Sequence, residues 1–222
     1  MVLVDWEIEL KWWIILGVLK LSVKLLTPFP LIPKEIGFVI KLLEKSAAEG
    51  LLPIKVSNTS IVEVDGLILT SISPLKNKTE KLADHLKKSH GLSLPNKGRS
   101  TGKEGMRALW FGQHTLLVGP KPDGKLSKFG VLTDQSDAWV TLRMSGDLIE
   151  DALMGLCPVD LRMKEFKRGN VVRTSLQHVN VTLHRIGPNT IDLYGFRSMA
   201  QTICHELKSS LTTLNARINH NI

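Results

Sequence analysis

The clearest hydrophobic patterning lies in the last ninety residues. Residues 139–144, Trp-Val-Thr-Leu-Arg-Met, alternate apolar and polar side chains as a half-buried strand does. Gly146 and Asp147 then open a predicted helix, with Asp147 as cap and Glu150 three residues on, a capping-box spacing. Leu148, Ala152 and Leu156 line one face of that helix, and Pro158 stops it. Residues 171–176 and 179–186 read as strands. In the second, Val179, Val181 and Leu183 point one way and Asn180, Thr182 and His184 the other. Gly187-Pro188-Asn189 turns the chain into a strand at 191–196. Ser198 with Gln201 three residues later predicts a second capping box, starting a helix to about Leu214 with Met199, Ile203, Leu207 and Leu211 at every fourth position.

The middle of the chain is similar but looser. Residues 61–70 predict one or two strands around Gly66. Residues 78–90 predict a helix with Leu82, Ala83 and Leu86 inward and Lys81, Lys87 and Lys88 outward. Residues 95–105 read as a basic loop. Strands at 108–111 and 115–118 are joined through Gly112-Gln113-His114, and residues 120–128 form another basic, turn-rich connection. This order of elements predicts an α+β fold, a mostly antiparallel sheet with helices on one face.

Residues 1–50 stand apart from the domain expected over 51–222. Three of the five tryptophans, Trp6, Trp12 and Trp13, fall in the first 13 residues. The apolar run 12–19, closed by Lys11 and Lys20, falls well short of the roughly 20 residues a membrane span needs. The acidic start, with Asp5 and Glu7, is unlike a signal peptide. Trp13, Ile14, Gly17, Leu21 and Leu25 recur at helical spacing, Pro28, Pro30 and Pro33 interrupt them, and a second helical stretch is expected over 36–48. Three readings are open: a docking or membrane-surface helix, a helix packed on its own domain, or a segment ahead of the native start.

Charge changes the picture less than its total suggests. The chain has 222 residues and a formal charge of +8, which brings nucleic acid or an anionic surface into consideration. Residues 51–130 alone carry 13 basic and six acidic side chains, whereas the flanking parts are close to neutral. These basic residues sit in turns and on one helix exterior, without the interleaved aromatics that stack on bases. Nucleic acid and membrane are therefore not expected partners. Two cysteines make no disulfide framework and no zinc motif, and point to a cytoplasmic protein.

Candidate chemistry is sparse. There is no dinucleotide or triphosphate loop and no Gly-x-Ser-x-Gly elbow. The stretch from Gly98 to Gly102 and Lys103 mimics part of a phosphate loop without its spacing. The seven histidines, at 85, 90, 114, 178, 184, 205 and 220, lack metal-ligand spacing. Cys157 and Cys204 read as small buried hydrophobes. Asp134, Asp137, Asp147, Glu150, Asp151 and Asp160 cluster in sequence, either as a carboxylate pair for acid–base work or, more simply, as turn, cap and helix-exterior residues. No catalytic, cofactor-binding or metal-binding residue is assigned.

An ordered set of motifs carries a resemblance. Met106 to Pro120 contains Leu109-Trp110-Phe111-Gly112 and Leu116-Leu117-Val118-Gly119-Pro120. Asp134, Ser136, Trp139, Ser145 and Gly146 follow, then Leu156-Cys157-Pro158-Val159-Asp160-Leu161. Arg173-Thr174, Leu176, His178, Asp192-Leu193, Arg197-Ser198 and Ala200 continue it, and Ser73-Pro74-Leu75 fits more weakly. Over residues 56–214 the chain resembles the gamma subunit of heterotetrameric sarcosine oxidase. The resemblance implies the fold of the N-terminal part of the folate-binding aminomethyltransferases. It also implies a non-catalytic role beside alpha, beta and delta subunits in the oxidative demethylation of sarcosine to glycine, with the methyl carbon passed to tetrahydrofolate. FAD, FMN, NAD, tetrahydrofolate and zinc are then expected in those partners and not in this chain. A subunit of a related N-methylglutamate dehydrogenase and a free-standing folate-binding protein are the alternatives. Against the latter, the Lys/Arg-Gly-Cys-Tyr-x-Gly-Gln-Glu signature is absent. The apolar helix faces are expected to meet other subunits, leaving the isolated chain poorly soluble.

Overall fold

The computed structural model describes residues 45–119 and 121–220. The chain divides into two units, Met1–Leu43 and Glu44–Ile222, and the second is described below. The first expected helix and most of the second, 36–48, lie outside the described residues; the end of the second is not helical, since residues 47–51 form a turn.

Among the described residues, eleven strands make two antiparallel sheets. The six-stranded sheet contains β1 (Ile54–Val56), β2 (Thr59–Glu63), β8 (Trp139–Ser145), β9 (Val171–Leu176), β10 (Val179–Gly187) and β11 (Thr190–Phe196), in the order β1-β2-β8-β11-β10-β9. The five-stranded sheet contains β3 (Ile68–Pro74), β4 (Ser100–Lys103), β5 (Met106–Phe111), β6 (His114–Gly119) and β7 (Gly130–Asp134), in the order β4-β5-β6-β3-β7. Three helices complete the unit: α1 (Thr79–His90), α2 (Ile149–Met154) and α3 (Ala200–His220).

Side-chain alternation turns these elements into four layers. Val140, Leu142 and Met144 of β8, Val181 and Leu183 of β10, and Ile191 and Leu193 of β11 share one face, packed against Ala152 and Leu153 of α2 and Ile203, Leu207 and Leu211 of α3. The five-stranded sheet buries Ile72, Ala108 and Leu117 against Leu82 and Leu86 of α1 and Leu126 of the 3₁₀ turn Gly124–Lys128. The remaining faces meet each other, with Leu69, Leu109, Phe111, Leu116 and Val118 on one side and Val171 and Tyr194 on the other. Each sheet thus has helices on one face and the other sheet on the second. The close approach of α3 depends on Gly195, where a Cβ would lie 2.3 Å from Ile203 Cδ1.

The α+β class and antiparallel pairing agree with the sequence pattern, as do the 5–6 hairpin and the inward set Val179, Val181, Leu183. Several details differ. The stretch 61–70 contributes to both sheets, with β2 and β3 separated at Gly66 (φ 71°). The basic stretch 95–105 contains β4, paired with β5. Asp147 caps nothing: α2 starts at Ile149 without a side-chain cap, and Asp147 Oδ1 accepts from Asn189 Nδ2 at 2.8 Å. Ser198 lies in the 3₁₀ turn Arg197–Met199, which has no side-chain cap and leads into a longer α3 than expected. Finally, the apolar faces of α1, α2 and α3 close on the chain's own sheets, so they are not a subunit interface. Met199, expected on the inner stripe, is 42 % exposed.

Candidate functional site

Polar side chains gather in two places. The first is between the sheets. Strand register sets Arg143 of β8 opposite Asp192 of β11, and Asp192 opposite His184 of β10, so three neighbouring strands present Arg, Asp and His in a row. Arg143 Nε donates to Asp192 Oδ1 at 2.8 Å and Nη2 to Oδ2 at 3.1 Å, a two-pronged pair. Its Nη1 donates to Glu104 Oε1 at 2.8 Å, in the turn between β4 and β5. The sheets are therefore tied by an ionic bridge as well as by apolar contact. Asp192 is 4 % exposed, and the guanidinium supplies the compensating charge such a carboxylate needs. The same contact pushes the Arg143 guanidinium still higher than its ordinary value.

His184 is 1 % exposed. Its Nε2 lies 2.8 Å from Ser100 Oγ, which also donates to the Gly169 carbonyl at 3.2 Å. With the hydroxyl donating to Gly169, Nε2 carries the proton and Nδ1 is a bare acceptor. His184 Nδ1 has no partner among the described residues, nor does Thr182 Oγ1, two residues earlier on the same face. Burial first, then Arg107 and Arg143, push the imidazole down to about 3. Burial also pushes the Tyr194 phenol up.

Ser100, His184 and Asp192 have the composition of a nucleophilic triad but not its wiring. Asp192 is held by Arg143, no hydrogen bond joins it to His184, and a histidine neutral down to about pH 3 is a poor base near neutrality. The cluster holds the sheets in register; it does not activate Ser100.

The second place is a pocket of about 400 Å³ beside the turn between β10 and β11, lined among others by Asp147, Glu150, Met163, Arg185 and Asn189. Arg185 is fully buried beneath it. Its Nη2 pairs with Glu150 Oε1 at 2.8 Å and also donates to the Leu161 carbonyl, Nη1 donates to the Pro188 carbonyl, and the guanidinium lies 5.8 Å from the Phe166 ring centre. Arg185 thus fastens α2, the 161–166 segment and the hairpin turn together. The pocket wall is part apolar, and its two carboxylates are both engaged, Glu150 by Arg185 and Asp147 by Asn189.

Of the carboxylates that cluster in sequence, only Asp147 and Glu150 come together, in the pocket. Asp134 caps a local turn through Ser136 N and Oγ, and Asp160 pairs with Arg162, which lowers its carboxyl to about 2. The two cysteines are buried, and burial pushes both thiols up to about 11. In the stretch from Gly98 to Lys103, Gly98 lies in a turn and Ser100–Lys103 form the edge strand β4, whose Ser100 faces His184. Among the described residues, no three His, Cys, Asp or Glu side chains lie together as a metal site. The Arg143–Asp192 bridge and buried Arg185 were not singled out from the sequence, since each is one charged residue in an alternating strand.

No family model and no curated protein matches the chain. A chain of heterotetrameric sarcosine oxidase from Corynebacterium sp. U-96, solved in complex with pyrrole 2-carboxylate, is similar in structure: TM-score 0.65 and 22 % identity, covering 78 % of this chain and 97 % of that one. The glycine cleavage system aminomethyltransferase T from Bartonella henselae is more distant, with TM-score 0.47 and 13 % identity over 68 % of this chain and 45 % of that one. The described unit therefore has the α+β fold of a chain found in heterotetrameric sarcosine oxidase.

Proposed function

We propose that this chain is a non-catalytic, gamma-type subunit of a sarcosine-oxidase-like oxidoreductase. On this reading it stands beside alpha, beta and delta chains that carry FAD, FMN, NAD, tetrahydrofolate and zinc. The complex would demethylate a secondary amino acid such as sarcosine, passing the methyl carbon to tetrahydrofolate, in the cytoplasm. One observation carries the reading: the structural likeness spans 97 % of a chain from such a heterotetramer. The interior supports it. The Ser100–His184 contact is partly buried and the imidazole is held neutral, so the best-placed polar cluster suits a scaffold.

The pocket offers no free cation to a folate's glutamate carboxylates, since Arg185 is buried and paired with Glu150. The test is co-expression of the full chain with sarcosine-oxidase-type alpha, beta and delta chains, followed by affinity purification and size-exclusion chromatography. A stoichiometric complex with bound flavin is expected. A stable lone monomer that binds tetrahydrofolate tightly by calorimetry would overturn the reading.

A further inference from the structure

The two outer layers of the described unit differ in charge. On the side of the five-stranded sheet, α1, its approach and the 120s segment expose eight lysines: Lys76, Lys78, Lys81, Lys87, Lys88, Lys121, Lys125 and Lys128. The same layer holds three carboxylates, Glu80, Asp84 and Asp123. Asp123 is already engaged, by His85 Nε2 at 3.2 Å and by the Lys125 amide at 3.0 Å. Among the described residues none of these lysines forms an ion pair; Lys78 spends its ammonium on the Lys128 carbonyl at 2.9 Å. On the opposite side, α2 and α3 carry Glu150, Asp151 and Glu206 against Lys208 and Arg217.

We propose that the α1 layer is a docking face for an acidic surface on a partner protein subunit. Uncompensated like charges on one packed layer repel each other, and an apposed acidic surface relieves that repulsion and steers the encounter. Residue choice favours protein over nucleic acid. All eight cations are lysines, without the guanidinium forks that grip phosphates and base edges, and no aromatic stacking platform lies exposed among them. The α1 lysines project opposite Leu82 and Leu86, so they are presented by a rigid helix packed on the sheet.

This inference deepens the subunit reading and rests on it for the partner's identity, so two measurements separate them. In the first, the full chain is assembled with sarcosine-oxidase-type partner chains at low and high salt, as wild type and as the quadruple variant Lys81→Gln, Lys87→Gln, Lys88→Gln, Lys125→Gln. These side chains are exposed, and circular dichroism checks that the variant folds. Wild-type affinity should fall about ten-fold or more as salt screens the face, and the variant should bind about ten-fold more weakly at low salt. A control, Lys164→Gln with Lys167→Gln on another face, should bind like wild type. Assembly that ignores both salt and the quadruple substitution overturns the docking face while leaving the subunit reading intact.

The second measurement uses the chain alone with fluorescent poly-L-glutamate, duplex DNA and phosphatidylserine vesicles. Binding of poly-L-glutamate that the quadruple variant loses and the control keeps supports the docking face, even where no heterotetramer forms. Tighter binding to DNA or vesicles, or poly-L-glutamate binding unaffected by the quadruple variant, overturns it.

Discussion

His184 sits between the sheets at 1 % exposure, facing Ser100 of β4, Arg107 of β5, Arg143 of β8 and Asp192 of β11, and acidification must eventually protonate it. Its folded value is about 3 and its ordinary value 6.5. The sign follows: between these values the unfolded chain binds a proton that the folded chain refuses, so stability falls as pH drops below 6.5. The slope approaches about 1.4 kcal/mol per pH unit. From pH 7 to pH 5 the loss is about 2 kcal/mol, and it would reach about 5 kcal/mol below pH 3. With a urea m-value of about 2 kcal/mol/M, the midpoint should fall by about 1 M between pH 7 and pH 5 through this residue. The assay is urea unfolding at fixed ionic strength across pH 5–7.5, on wild type and on His184→Gln, whose amide can still reach Ser100. The rest of the chain is identical in the two proteins, so the difference between the two curves isolates His184. That difference should shift in favour of the variant by about 2 kcal/mol on going from pH 7 to pH 5. Parallel curves over this range would refute the reasoning, because they would mean that the imidazole charges as easily inside as outside.

Other substitutions probe the remaining supports. Arg143→Met strands the Asp192 carboxylate at 4 % exposure and should cost about 3 kcal/mol, seen as a lower melting temperature; adding Asp192→Leu should recover most of it. Gly146→Ala should destabilise by about 2 kcal/mol or more in the same assay. Gly146 has φ 135°, and a Cβ there would lie 2.4 Å from the Asn58 carbonyl oxygen and 2.5 Å from Thr59 Cα. Cys157 and Cys204, buried and with thiols raised to about 11, should resist a thiol-specific disulfide reagent in the native protein and both react in urea. Fast native labelling of either would count against their packing.

Local elements were readable in the sequence for a simple reason. Alternation in β8 and β10 and the four-residue spacing in α3 each record which side chains leave water, and that record is written within a few neighbouring residues. The hairpin of β5 and β6 was readable too, since Gly112 at φ 78° supplies the turn between two apolar runs. The site was not readable. Thr182 and His184 occupy the polar side of β10, a side that alternation alone assigns to solvent, and both are 1 % exposed.

Local pattern was enough for most of the strands, though not β1, β4 or β7, and for the inward faces of the helices, the α+β class and the confinement of excess charge to residues 51–130. Folding in three dimensions divides the strands between two sheets, with β2 and β3 parting at Gly66, and lets each sheet cover the other's second face. Sheet pairing is a long-range choice made by complementary surfaces, and no local period encodes it. Once the sheets close, Arg143 must meet Asp192, His184 is held neutral, and the lysines of the α1 layer are left facing outward together.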